Sequence, residues 1–207
     1  MKLYMTPGTC STGIHILLEE LDIPFEAYIV DLLADENNKP EFLAVNPKGS
    51  IPVLVRDDGS VLTEFQAIAY WLARRFPKAR LLPENLDEEA RAIEIMDYVT
   101  GTIHGQGYTR IFTAESYAPA DCDAVRARGR EIVAKCFAVM NRAIAGNEYA
   151  TGSFSIADAA LFYVEFWADK IGIRLPENCL AHYRRMSMRP AVQRVLREEG
   201  YRLPSVS

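Results

Sequence analysis

The chain changes its periodicity once, and that change limits its architecture. Ahead of Pro77, short strand-like runs alternate with helical stretches; beyond Pro83, every long apolar pattern has helical spacing. The first part opens with Met1-Lys2-Leu3-Tyr4-Met5, which meets a Pro7-Gly8 turn, and from Cys10 onward Ile14, Leu17, Leu18 and Leu21 recur at helical spacing. Ile23-Pro24 breaks that helix, and residues 25–30 alternate as a second strand. Pro40 starts a short helix that ends before Asn46-Pro47. Residues 51–55 and 60–63 read as two antiparallel strands joined at Asp57-Asp58-Gly59. Ile68, Trp71, Leu72 and Phe76 then form a helical face closed by Pro77. The predicted order is βαβ, short α, ββα.

In the second part, Leu86 to Phe112 reads as one long helix, its second half weakened by Gly101, Gly105 and Gly107 at about 1 kcal/mol each relative to alanine. Val125, Ile132, Val133, Cys136, Phe137, Met140 and Ile144 make a second stripe, which stops at Gly146-Asn147. Ser155-Ile156-Ala157-Asp158 has capping-box form, and the run it opens, residues 156–171, is apolar almost all round, as expected of a helix buried in the middle of a domain. Shorter helices are predicted over 180–186 and 190–199. The fold class is α/β plus all-α, with a first domain over 1–80, a helical domain over 86–207, and a cleft expected between them where ligands favour binding.

With 23 basic and 28 acidic side chains, the net charge of −5 leaves no broad basic surface for nucleic acid. No apolar run approaches the roughly 18 residues of a membrane helix, and the start lacks a signal-peptide pattern, so a cytoplasmic protein is expected. Cys10, Cys122, Cys136 and Cys179 are widely spaced and, with only His15, His104 and His182 to join them, predict free thiols and no metal site. Cys10 is the first candidate for chemistry. At a helix start it meets the positive end of the helix dipole and nearby backbone N–H groups, which together are expected to stabilise a thiolate. Gly13 stands three residues after it, which excludes a two-cysteine redox cycle.

Four motifs in order now carry a resemblance: Pro7-Gly8-Thr9-Cys10-Ser11, residues 46–54 (Asn-Pro-Lys-Gly-Ser-Ile-Pro-Val-Leu), residues 62–68 (Leu-Thr-Glu-Phe-Gln-Ala-Ile), and the Ser155–Asp158 cap. Over nearly its whole length the chain resembles the glutathione S-transferase family, most of all the bacterial beta class, whose opening matches Lys2-Leu3-Tyr4, Cys10-Ser11 and His15-Ile16. The resemblance implies a thioredoxin-like N-terminal domain with Pro52 as its cis-proline, and a helical domain that contributes the acceptor-substrate pocket. It implies glutathione as co-substrate, a small electrophile as the second substrate, detoxification chemistry and a homodimer. It places Cys10 and His104 at the catalytic thiol, the backbone of Ile51 against the cysteinyl part of glutathione, and Glu64 with the Phe65 backbone at the γ-glutamyl end.

Two positions depart from the family pattern. Phe65 stands where many relatives have serine, which removes one hydroxyl hydrogen bond worth about 1 kcal/mol. Ala34-Asp35-Glu36 offers acids where some beta-class members have a lysine facing the glycyl carboxylate; Lys39 is the nearest base, and either glutathione binds less tightly or another base substitutes. Three readings stay open. They are conjugation of the glutathione thiol to an electrophile, Cys10-dependent thiol–disulfide exchange with glutathione, and a non-catalytic binding module. His15 is expected to be structural and His182 to lie on the surface. Tyr108 and Ile111 are open between helix packing and a pocket wall.

Overall fold

The computed structural model describes residues 1–202 and divides them into two compact units. In the first, strand β1 (Lys2–Met5) lies parallel to β2 (Glu26–Ile29) and antiparallel to β3 (Val53–Val55), which pairs antiparallel with β4 (Val61–Thr63), giving the order β2-β1-β3-β4. Side chains alternate across a pleated sheet. Leu3 therefore pairs with Leu54 on one fully buried face, while Tyr4 and Val53 share the other. On that second face Val53 packs with Val30 and with Phe42 of α2 (Pro40–Leu43), flanked by Tyr4, Val45 and Ile51.

Helix α1 (Ser11–Glu20) buries Ile14, Ile16, Leu17 and Leu18 and packs on α3 (Phe65–Arg75). The turn ahead of α1 is locked by its own polar side chains. The Ser11 hydroxyl accepts from the Thr6 N–H at 3.1 Å, and the Thr9 hydroxyl donates to the Thr6 carbonyl at 2.7 Å. Gly8 takes φ +72° there, and the space its Cβ would need is filled by the Tyr201 ring, so only glycine fits.

The predicted domain limits need one correction. The units divide between Leu82 and Pro83, but residues 187–202 group with the first unit, not with the helical one to which 86–207 assigned them; the rest of that range lies outside the described residues. The cause is α9 (Pro190–Glu198), whose Val192, Val195 and Leu196 form an apolar stripe that packs on α1. Arg189 forks onto Glu20 at 2.7 and 2.8 Å, and Arg194 meets Glu19 at 2.7 Å.

The second unit, Pro83–Met186, is helical. Helix α4 (Leu86–Asp97) is capped by Asn85, which accepts from the Asp87 and Glu88 N–H groups, and its acidic first turn suits the dipole. The long helix predicted to Phe112 stays helical but widens to a π-helix over Tyr98–Tyr108 before α5 (Thr109–Phe112). Glycine has a packing role in that stretch. A Cβ on Gly107 would lie 2.6 Å from Val133 Cγ2, and one on Gly129 2.8 Å from the Gly107 carbonyl, so these two glycines let the π segment approach α6 (Cys122–Ala143).

Helix α7 (Ile156–Lys170) is buried from Ile156 through Ala168 and starts with the predicted capping box. Tyr108 is buried with its hydroxyl on the Val164 carbonyl at 2.8 Å, and Ile111 is buried beside it in sequence order on α5, which decides both for packing within this unit. His182, on α8 (Glu177–Met188), is a second correction. It is buried, not on the surface, with Nδ1 2.7 Å from Glu165 and Nε2 3.0 Å from Asp158. Among the described residues no helix is long and apolar enough to cross a membrane.

Candidate active site

The first unit brings several of the predicted residues together. Cys10 is the N-cap residue of α1, and its thiol points at the Ile51 carbonyl at 3.8 Å. The Ile51–Pro52 bond is cis, as the resemblance implied. The segment before it is fixed from two sides: Asn46 Nδ2 donates to the Ser50 carbonyl at 2.7 Å, and Asn37 Nδ2 to the Gly49 carbonyl at 2.9 Å. Thus the Asn-Pro-Lys-Gly motif is a loop that presents Ile51 to Cys10.

The thiol does not behave as the helix dipole alone predicts. Burial pushes Cys10 up to about 12, with the Glu64 carboxylate adding to the rise, and the N–H groups of Cys10 and Ser11 only partly offset it. At neutral pH the group is therefore S–H, a donor. This direction opposes the expected thiolate: at the half-buried Cys10, desolvation of the sulfur raises the pKa more than the two N–H groups lower it.

Glu64 precedes α3 with φ +71° and ψ +130°, a conformation that costs a non-glycine residue on the order of 1–3 kcal/mol and that concentrates at functional positions. Its carboxylate makes no cap bond to α3. It pairs with Lys48 at 2.6 Å, and the same ammonium donates to the Thr63 hydroxyl at 2.9 Å. Phe65 opens α3 with its side chain buried in the core, so the residue that replaces the family's serine turns away from solvent.

Lys48 is the residue that sequence reasoning missed. It sits in the quoted motif, but nothing local says that residue 48 meets residues 63 and 64. Lys39, the base nearest in sequence to the departing acids, is exposed; with Tyr4, Tyr28 and Phe42 it lines a hollow of about 420 Å³ whose walls include neither Cys10, Ile51 nor Glu64. The acids themselves serve the loop. Asp35 accepts from Asn38 Nδ2 at 2.6 Å, and Glu36 accepts from the Asp31 N–H at 2.7 Å and the Tyr28 hydroxyl at 3.1 Å.

His104 belongs to the second unit, in the π segment. Its Nδ1 lies 3.3 Å from the Tyr163 hydroxyl, and its ring meets Trp167 edge-on at 4.9 Å. Burial pushes its pKa down to about 4, so the imidazole is neutral across the physiological range.

His15, buried in α1, is held by the C-terminal segment, with Nδ1 3.0 Å from Glu199 and Nε2 3.2 Å from Glu198. His15, Glu19 and Glu198 place one ligand-type atom each within 4.8 Å of one another, a grouping no spacing in the sequence suggests. Arg194 already neutralises Glu19, and Glu198 is half exposed.

Known proteins resemble this chain over nearly its whole length. Residues 8–75 match the family described as Glutathione S-transferase, N-terminal domain, and residues 123–185 match Glutathione S-transferase, C-terminal domain. The chain is 38% identical to the glutathione S-transferase GstA of Escherichia coli O157:H7, over 97% of this chain and 99% of that protein. A glutathione transferase homologue from Sulfitobacter, solved with bound glutathione, superimposes with a TM-score of 0.88 at 31% identity, covering 97% of this chain and 98% of that one. A bacterial beta-class glutathione S-transferase from Sphingomonas chungbukensis gives 0.85 at 32% identity, covering 97% and 99%. With its thioredoxin-like sheet, its helical second unit and full-length identity of this order, the chain belongs to the glutathione S-transferase family and is a glutathione transferase.

Proposed function

We propose that this enzyme joins the sulfur of glutathione to small electrophiles, with Cys10 serving as a hydrogen-bond donor to that sulfur and not as the nucleophile. The observation that carries this reading is the Cys10 thiol at the start of α1, 3.8 Å from the Ile51 carbonyl, and burial, which raises its pKa, supports it. A protonated thiol is a poor nucleophile, but it stabilises a neighbouring thiolate. In the reaction, the glutathione S–H proton passes to water, the sulfur forms a bond to carbon, and the leaving group departs with the electron pair of the broken bond.

The same reading gives the other residues their parts. The Ile51 backbone, beside Pro52, holds the cysteinyl portion of glutathione, and Glu64 receives the γ-glutamyl ammonium, with the backbone of Phe65 at the helix start as its neighbour. Lys48, paired with Glu64 and Thr63, supplies the positive charge for a ligand carboxylate that Asp35 and Glu36 do not. The family resemblance supports a homodimer, and the four free cysteines suit a reducing cytoplasm.

The test compares wild type with Cys10→Ala in conjugation of glutathione to a dinitroaryl chloride, with intact mass recorded after exposure to oxidised glutathione. The expected result is measurable conjugation by both forms, reduced in the variant by about 10- to 100-fold, and no glutathione adduct on Cys10 at neutral pH. A stoichiometric adduct at Cys10 would transfer the chemistry to thiol–disulfide exchange. Failure of wild type to bind glutathione at millimolar concentration would leave only the binding module.

A further inference from the structure

The turn that carries Cys10 is held by a residue almost two hundred positions away. Glu199 follows the last residue of α9, and its side chain is only 1% exposed. One carboxylate oxygen, Oε2, accepts from the Gly8 N–H at 2.8 Å and from the Thr12 hydroxyl at 2.7 Å. The other, Oε1, lies 3.0 Å from His15 Nδ1. The three partners come from positions 8, 12 and 15, and two of them lie two residues to either side of Cys10.

This arrangement does more than bury a charge. A buried carboxylate needs several donors, and here every donor belongs to the reactive turn or the first turns of α1. The turn's internal bonds join residues 6, 9 and 11 and fix its shape, whereas Glu199 fixes its place relative to a helix. The Tyr201 ring, two residues further on, fills the space beside Gly8 that a side chain would need. Helix α9 is in turn anchored on α1 by its apolar stripe and by Arg189, which forks onto Glu20. The C-terminal segment thus supplies the acceptor that ties the turn at Cys10 to α9.

We propose that Glu199 is a positioning residue of this transferase, clamping the chain on both sides of Cys10 so that its thiol meets the glutathione sulfur in register. The proposal rests on the transferase reading for its kinetic consequence, but the clamp itself has a readout that needs no glutathione. Misplacing a reacting group by about 1 Å costs on the order of 10²-fold in rate, so loss of the clamp falls on turnover.

The experiment uses the full chain with Glu199→Ala, Glu199→Gln and Thr12→Val, and Arg194→Ala as a comparison that breaks an α9–α1 ion pair without touching the turn. Two quantities are measured where each variant is folded: kcat and KM for glutathione, and the rate at which iodoacetamide alkylates Cys10, followed by peptide mass at several pH values. Glu199→Ala is expected to lower kcat by about 10-fold or more, and to speed alkylation severalfold at pH 8 as the sulfur becomes less buried. Glu199→Gln, which keeps an acceptor for Gly8 and Thr12, is expected to stay within about threefold of wild type, and Thr12→Val to move both readouts in the direction of Glu199→Ala by less. Arg194→Ala is expected to change neither. Unchanged kcat and unchanged Cys10 alkylation in both Glu199→Ala and Thr12→Val, whatever their melting temperatures, would overturn the proposal. If wild type itself conjugates nothing, the transferase reading fails, while the alkylation rates still decide whether the clamp exists.

Discussion

Two histidines in this protein are each held between two carboxylates, and they do different work. His15 lies between Glu198 and Glu199 in the first unit, where one carboxylate is half exposed and the other reaches on to the backbone beside Cys10. His182 lies between Asp158 and Glu165 in the second unit, and all three side chains are closed to solvent. Asp158 also takes the N–H groups of Ala150 and Ser155 at 2.7 Å each, so the His182 cluster closes a loop onto the cap of α7. The first cluster joins the segment after α9 to the turn at Cys10; the second joins a loop to the cap of α7. The same side-chain types thus become a positioning device or a structural one according to what the second carboxylate touches.

The sharpest way to break this comparison is to remove each histidine cluster in turn. His182→Leu leaves two carboxylates buried without their cation, so it is expected to lower stability by about 3–5 kcal/mol in denaturant unfolding while the Cys10 alkylation rate of the folded fraction stays at the wild-type value. A loss below about 1 kcal/mol would mean that the triad is not the buried ionic cluster described. Glu199→Ala should show the reverse pattern, with the chemistry of Cys10 changed more than the stability.

A smaller effect separates the clusters by pH. Burial lowers the affinity of His182 for its proton, but the charges of Glu165 and Asp158 and their hydrogen bonds overcome this and raise its pKa to about 10, while burial raises Glu165 to about 7. Both groups bind protons more tightly folded than unfolded. Their contribution is complete below the ordinary values of 4.5 for Glu165 and 6.5 for His182, and it is lost as pH rises through 7 and then 10. Thermal stability should therefore fall between pH 6 and pH 10, and His182→Leu should flatten that slope. A wild-type stability that rises over this interval would contradict the charge state given to the triad.

The smallest expected change in stability comes from Lys48→Ala. Both partners of the Lys48–Glu64 pair are more than half exposed, so unfolding should shift by less than about 1 kcal/mol. Its KM for glutathione should nevertheless rise several-fold with kcat kept, the signature of a lost binding contact. An unchanged KM would remove Lys48 from the glutathione site.

What was legible in the sequence follows the range of the forces involved. The strand, turn and helix of residues 2–20, the Asp57-Asp58-Gly59 hairpin, and the Ser155–Asp158 cap depend on neighbours within a few positions, and each was readable there. The cis bond at Pro52 was found through its motif. The Glu199 clamp was not, because its partners are 184 to 191 residues away and an acid at the end of an amphipathic helix carries no sign of burial. His182 was misplaced for the same reason, its neighbours Arg184 and Arg185 giving α8 a polar look. The Cys10 proton was misjudged because the dipole is visible in the sequence and the packing around the sulfur is not.

The central claim is that Cys10 works as a thiol. The direct measurement is the ultraviolet thiolate absorbance of wild type minus Cys10→Ala, titrated from pH 6 to pH 11 on the folded protein. The account predicts no thiolate signal from Cys10 at pH 7 and only a small one by pH 10, consistent with a pKa near 12. A full thiolate step centred below pH 8 would contradict it, and would make Cys10 the nucleophile.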